Sequence, residues 1–311
     1  MHTLLILSRD AAQYRDLILS ADLADLRISQ SVNHIDKVDF SIAHTILLGE
    51  PDLCAQALPK LPQIKWVQST WAGVKPIIDI DATHFTLTAI KGLFGKQMQQ
   101  YVFAYLLYFS RQIQEFQSLQ RQHRWNPIYP QGLDDKRIGI LGLGSIGIEV
   151  AKTAKHFNMQ VIGVTRTGQS NADVDELYSI SQAKEFAPSL DFLVSLLPHT
   201  QETEHIINAN FLSLLPNHCV FISAGRGQVV DENALCAALN NGQLKAAVLD
   251  VFENEPLSRD HPFWRLDNVW LTQHTAAISR PAEIAGIFID NYQRYHQHLP
   301  LENIINRSKG Y

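Results

Sequence analysis

Short apolar runs separated by amphipathic or polar stretches set the pattern of this chain. They fall at 3–8, 44–49, 64–69 and 85–90, and again at 138–141, 160–164, 191–197, 219–223, 245–249 and 269–272. Continuous runs of that length are what strands buried on both faces of a parallel sheet look like. The stretches between several of them keep a helical period instead. Val150, Ala151, Ala154 and Phe157 share one helical face, as do Ile284, Ile287, Phe288, Tyr292 and Tyr295. Asp231 is placed to cap the helix over DENALCAALN, and Gly242 to stop it. Strand–helix alternation predicts an α/β chain with two doubly wound parallel-sheet domains, the first smaller and flavodoxin-like.

Asn126 to Gly132 reads as a linker, and a second sheet begins after it. The last helix, from about Pro281 to Gln297, follows the final strand and would return to the first domain. The expected division is therefore 1–97 with 278–311 as one domain and 98–277 as an inserted one, with crossings near 97 and 278 forming a hinge. Gln97 to Trp125 contains neither proline nor glycine. As one helix it would span roughly 40 Å. Phe109, Ile113, Phe116 and Leu119 keep its period while Tyr101, Phe103, Tyr105 and Tyr108 add aromatic surface. That exceeds what one core face needs, and a second copy of the chain is the expected partner.

Composition narrows the class. With 311 residues, 46% hydrophobic and 18% charged, the chain suits a globular two-domain protein. A net charge of −5 argues against a nucleic-acid partner. Cys54, Cys219 and Cys236 have no spacing that suggests a disulfide framework or a metal site. Leu4 to Leu7 is too short for a signal peptide or a membrane span, so the cytoplasm is the expected compartment.

The candidate chemistry centres on RIGILGLGSIG, Arg137 to Gly147. A strand meets glycines at 142, 144 and 147 and runs into a helix. Gly142 permits the tight turn, Gly144 lets backbone approach a pyrophosphate, and Gly147 lets helix pack on strand. Gly142, Gly144, Ser145, Ile146 and Gly147 would hold a dinucleotide at the helix N-terminus. The following strand ends in Thr165-Arg166-Thr167, where an NAD-selective site usually carries a carboxylate. Arg166, helped by the threonine hydroxyls, would clamp a 2′-phosphate, which favours NADP(H) while leaving NAD(H) possible.

Three further residues follow successive strand ends: Arg226 in SAGRGQ, Glu255 in LDVFENEP and His274 in WLTQHTAA. Singly, each has an ordinary structural reading. Together on one rim they suit hydride transfer to a 2-keto acid. Arg226 would hold the carboxylate and polarise the keto oxygen, His274 would protonate that oxygen, and Glu255 would orient the ring and raise its proton affinity. In the first domain, WVQSTWAGVKPI runs from a strand into a turn whose N–H groups suit an anion.

GLGSIG, SLLPHTQET, GRGQVVDENAL, LDVFENEP and QHTAA together resemble the D-isomer-specific 2-hydroxyacid dehydrogenases, from STWAGV onward. GLFGKQMQQYVFAYLL and the TRT segment are most similar to the NADPH-preferring glyoxylate/hydroxypyruvate reductases. The resemblance implies Arg226, Glu255 and His274 at the family's catalytic positions. It implies substrate contacts at Trp71, Ala72 and Gly73, cofactor contacts at Leu197, Pro198 and Ala224, Asp250 near the nicotinamide carboxamide, and a homodimer. Phe94 and Met98 are expected pocket walls. Gln273 replaces the usual proline before the histidine, and Lys91 stands where close relatives often have arginine. Two other readings use the same fold: a non-catalytic nucleotide sensor similar to the family's corepressor branch, and an enzyme that oxidises another small anion such as formate or phosphite.

Overall fold

In the computed structural model, which describes residues 1–307 apart from Thr83 and Asn171, the apolar runs become two parallel sheets. The chain divides into two units, Met1–Leu93 with Ser279–Tyr311, and Phe94–Ile278.

The first unit contains β1 (His2–Leu7), α1 (Ala11–Ser20), β2 (Leu26–Val32), β3 (Ile46–Gly49), α2 (Pro51–Ala57), β4 (Trp66–Ser69), α3 (Lys75–Ile78) and β5 (Thr86–Thr88). Its five strands run parallel in the order β2-β1-β3-β4-β5, the flavodoxin-like order. Strand β2 lies outside the apolar runs. LRISQSV is an edge strand with no fully buried residue, so nothing in its composition demands a two-sided core.

The second unit contains α4 (Gly95–Ser110), α5 (Ile113–Arg121), β6 (Arg137–Leu141), α6 (Ser145–His156), β7 (Gln160–Thr165), β8 (Glu176–Ser179) and α7 (Ala183–Phe186). It continues with β9 (Phe192–Ser195), α8 (Ala209–Leu212), β10 (Val220–Ser223), α9 (Glu232–Asn240), β11 (Ala246–Leu249) and β12 (Val269–Leu271). All seven strands are parallel, in the order β12-β11-β10-β9-β6-β7-β8. Both faces are covered. Ile138 and Ile140 face Val102, Leu106 and Val150, while Leu141 faces the layer of Phe186, Phe221 and Leu235. The chain winds outward from β6 to β8 and then returns to β9 on the other side. That reversal opens a crevice at the carboxyl ends of β6 and β9, where doubly wound sheets take ligands. This second sheet has the Rossmann arrangement.

Helix α10 (Pro281–His296) returns to the first unit. Trp66 stacks on Phe288 with ring centroids 5.2 Å apart, and the Tyr292 hydroxyl donates to Ala24 O at 2.8 Å. Asn291 is buried and bonds Gln68 Oε1 and both peptide groups of Glu302.

Two expectations shift. The stretch from Gln97 to Trp125 is not one helix, because Gln112 takes a left-handed backbone (φ 52°) between α4 and α5. The units also part at 93/94 and 278/279, close to the expected 97/98 and 277/278. Gln97 and Ile278 exchange two hydrogen bonds of 3.0 Å and so belong together in the second unit. Among the described residues, no helix is long and apolar enough to cross a membrane.

Candidate active site

Strand β6 ends at Leu141, and Gly142 turns the chain with φ +98°, a conformation that side-chain-bearing residues rarely adopt. Helix α6 starts at Ser145. A Cβ at Gly147 would lie 2.1 Å from Gly142 O, so only glycine lets the helix close onto the turn. A Cβ at Gly144 would meet nothing within 4 Å, and that side of the turn is open. The N–H groups of Ser145, Ile146 and Gly147 have no acceptor among the described residues. Free donors at a helix N-terminus attract an anion. At the ends of β9 and β10, the buried hydroxyls of Ser195 and Ser223 also lack partners among the described residues. These features fit a dinucleotide laid across the crevice.

The end of β7 is more selective than expected. The Thr165 hydroxyl accepts from Gln169 N at 3.1 Å and lies 3.2 Å from Gln169 O, to which it donates. Its proton is committed to the turn, which leaves Arg166 and Thr167 to meet a phosphate. Both are exposed, and Arg166 Nη1 lies 3.8 Å from Glu202 Oε2. Across the crevice, Leu197 and Pro198 follow β9. Thr203 Oγ1 donates to Pro198 O at 2.7 Å and fixes that loop, while Ala224 N donates to Ser195 O at 3.1 Å and joins the β9 and β10 ends.

Arg226, Glu255 and His274 all lie in the second unit. His274 Nδ1 is 2.7 Å from Glu255 Oε2, and Glu255 Oε1 accepts from Phe252 N at 3.0 Å. With Nδ1 engaged, Nε2 has no partner among the described residues. Arg226 Nη1 donates to Gly225 O at 2.7 Å. Burial lowers the proton affinity of its guanidinium, and the Glu255 charge opposes that shift. The histidine is thus oriented by a carboxylate that also acts on the arginine. Such a set donates a proton from one ring nitrogen while a planar cation holds an anion.

In the first unit, Ser69 Oγ donates to Trp71 O at 2.8 Å and accepts from Trp71 N at 3.0 Å. The following N–H groups of Ala72, Gly73 and Val74 find no acceptor among the described residues. Phe94 precedes α4, and Met98 is buried within it. Lys91 is exposed.

Comparison with known proteins agrees with this geometry. Residues 103–276 match the family model described as "D-isomer specific 2-hydroxyacid dehydrogenase, NAD binding domain". The chain belongs to the D-isomer-specific 2-hydroxyacid dehydrogenase family. It is an oxidoreductase. It is 34% identical to glyoxylate/hydroxypyruvate reductase A of Klebsiella pneumoniae subsp. pneumoniae over 217 residues, 70% of each chain. Among solved structures it is similar to a D-isomer specific 2-hydroxyacid dehydrogenase family protein from Aeromonas salmonicida subsp. salmonicida. There the TM-score is 0.92 and the identity 38%, over 98% of this chain and 99% of that one. It is also similar to the NADPH-dependent glyoxylate/hydroxypyruvate reductase of Sinorhizobium meliloti, in complex with NADP and sulfate. That match has a TM-score of 0.86 and 26% identity, and covers both chains fully (100% of each).

One feature of this dehydrogenase leaves no mark in its sequence. His274 has a left-handed backbone, φ +56°, a costly conformation for a residue with a side chain. Asp250 holds it there. Its carbonyl accepts from His274 N at 2.8 Å, and its buried carboxylate accepts from Thr275 N at 2.8 Å, Ala276 N at 3.1 Å and Thr272 Oγ1 at 2.6 Å. Tyr101 on α4 completes the chain through Thr272 Oγ1, at 2.8 Å. Asp250, the residue that the resemblance sets near the nicotinamide carboxamide, thus also fixes the histidine turn, mainly through Oδ1. With Gln273 in place of proline, these bonds supply the constraint.

Proposed function

We propose that this chain reduces small 2-keto acids, such as glyoxylate or hydroxypyruvate, to D-2-hydroxy acids, with NADPH preferred over NADH. The observation that carries the reading is the 2.7 Å pair of Glu255 and His274 in the unit that holds Arg226 and the glycine turn. When bound, the nicotinamide supplies a hydride to the keto carbon. Arg226 holds the substrate carboxylate and polarises the keto oxygen. His274 gives that oxygen a proton from Nε2, and Glu255 keeps the ring in place through Nδ1. Taken by itself, the first unit offers free N–H groups at Ala72 and Gly73, beside Trp71, that are suited to a carboxylate.

The cofactor preference rests on Arg166, on the absence of a carboxylate at the end of β7, and on relatives solved with NADP or NADPH. Gly142, Gly144, Ser145, Ile146 and Gly147 take the pyrophosphate, while Leu197, Pro198 and Ala224 line the other side. The active form is a homodimer. Helix α5 has no buried residue, yet Ile113 and Phe116 lie on its surface, and Trp125 beyond it is 98% exposed. A second copy of the chain covers these groups. Three free cysteines suit a reducing cytoplasm.

Exchanging His274 for alanine tests the chemistry. Turnover should fall by about 10²–10⁴-fold with NADPH affinity within about twofold of the parent. Retained turnover would contradict the assignment of His274.

A further inference from the structure

The loop that carries Glu255 is held by the segment that carries Arg226, through contacts the chemistry above does not use. Gln228 Nε2 donates to Glu253 O at 2.8 Å, and Glu253 N donates to Glu232 Oε1 at 2.9 Å. The N–H and C=O of one residue, two positions before Glu255, are therefore gripped by side chains two and six positions after Arg226. The two backbones also touch. A Cβ at Gly227 would lie 1.9 Å from Phe252 C and 2.5 Å from Glu253 N, so glycine is required for this approach.

The grip is itself braced. Glu232 Oε2 lies 3.1 Å from His261 Nε2, Glu253 Oε1 lies 2.8 Å from His205 Nε2, and His205 N donates to Gln228 O at 2.9 Å. Glu232 opens α9, where a carboxylate ordinarily faces water and favours the helix dipole. Here it turns onto Glu253 and His261 instead, and burial pushes its proton affinity up. This half-buried carboxylate is thus turned away from water and onto the loop that carries Glu255.

We propose that Gln228 and Glu232 are positioning residues for the reduction, clamping the Glu253 peptide so that Glu255 stays on His274 at a fixed place relative to Arg226. This rests on the proposed reduction. Neither side chain needs to touch substrate. Losing the clamp lets Glu255 drift from the imidazole, and small misplacements in such sites lower turnover steeply.

The test compares Gln228→Ala, Glu232→Leu and Glu232→Gln with the parent. In the first two, kcat should fall about tenfold or more while the KM for NADPH stays within about twofold. Glu232→Gln keeps an acceptor for Glu253 N and should recover most of the rate. A second readout needs no turnover. The Phe252 amide donates to Glu255 Oε1, so its hydrogen exchange should quicken by about tenfold in the damaging variants. A folded Gln228→Ala protein with the parent's kcat and Phe252 exchange would overturn the clamp. Should the parent reduce no 2-keto acid, the reduction itself fails, and Phe252 exchange still decides whether the clamp holds Glu255.

Discussion

At the scale of single residues, the proposed cofactor preference turns on Arg166. Its contact with Glu202 is long and exposed, so little holds it from an incoming phosphate. Hydrogen bonds to a charged group contribute about 1.5–3 kcal/mol, so Arg166→Ala should raise the KM for NADPH by roughly ten- to a hundredfold and leave that for NADH within about twofold. Steady-state kinetics with both cofactors checks this, and equal effects would contradict a phosphate clamp. Arg166 was readable in the sequence because an arginine stood where a carboxylate is usual. Arg226, Glu255 and His274 were readable for a similar reason, as chemistry-bearing side chains just beyond apolar strands. The Thr165 hydroxyl was not, since only folding brings Gln169 back onto it. Nor was the hold of Asp250 on the His274 turn, because its partners are mostly backbone amides, which look alike at every position.

At the scale of elements, strand ends are tied by buried polar groups as well as by the ladder. Glu50, between β3 and α2, accepts from Ser8 Oγ at 2.9 Å and from Arg9 N at 3.1 Å, which joins the ends of β1 and β3. Burial raises its proton affinity above the usual carboxylate value. A carboxyl with a raised folded-state pKa stabilises fully below its unfolded value, and that contribution is lost as pH climbs through the folded one. Glutamine cannot ionise, so the melting temperature of Glu50→Gln relative to the parent should become more favourable as pH rises above about 4. Thermal unfolding across that range measures it, and a flat difference would show that Glu50 is not strained by its charge. The central strands were evident from their apolar runs. Edge strands β2 and β8 were not, because each is covered too little to need such a run. The break at Gln112 left no trace either, as no glycine marks the left-handed turn.

At the scale of the whole molecule, the cofactor-binding unit interrupts the other along the chain, and α10 rejoins the first sheet after β12. This order was visible because one amphipathic helix remained after the last strand. The chain departs from and returns to the first unit on either side of the Gln97–Ile278 bonds. The proposed reduction depends on Arg226, Glu255 and His274 working with a dinucleotide at the glycine turn. The most direct test is the initial rate of NADPH or NADH consumption with glyoxylate, hydroxypyruvate, pyruvate, phenylpyruvate and 2-ketoisocaproate. Strong turnover with NADPH on the small acids, and weaker turnover with NADH, is the predicted result. Tight NADPH binding without turnover of any of these acids would contradict it and point to a nucleotide sensor.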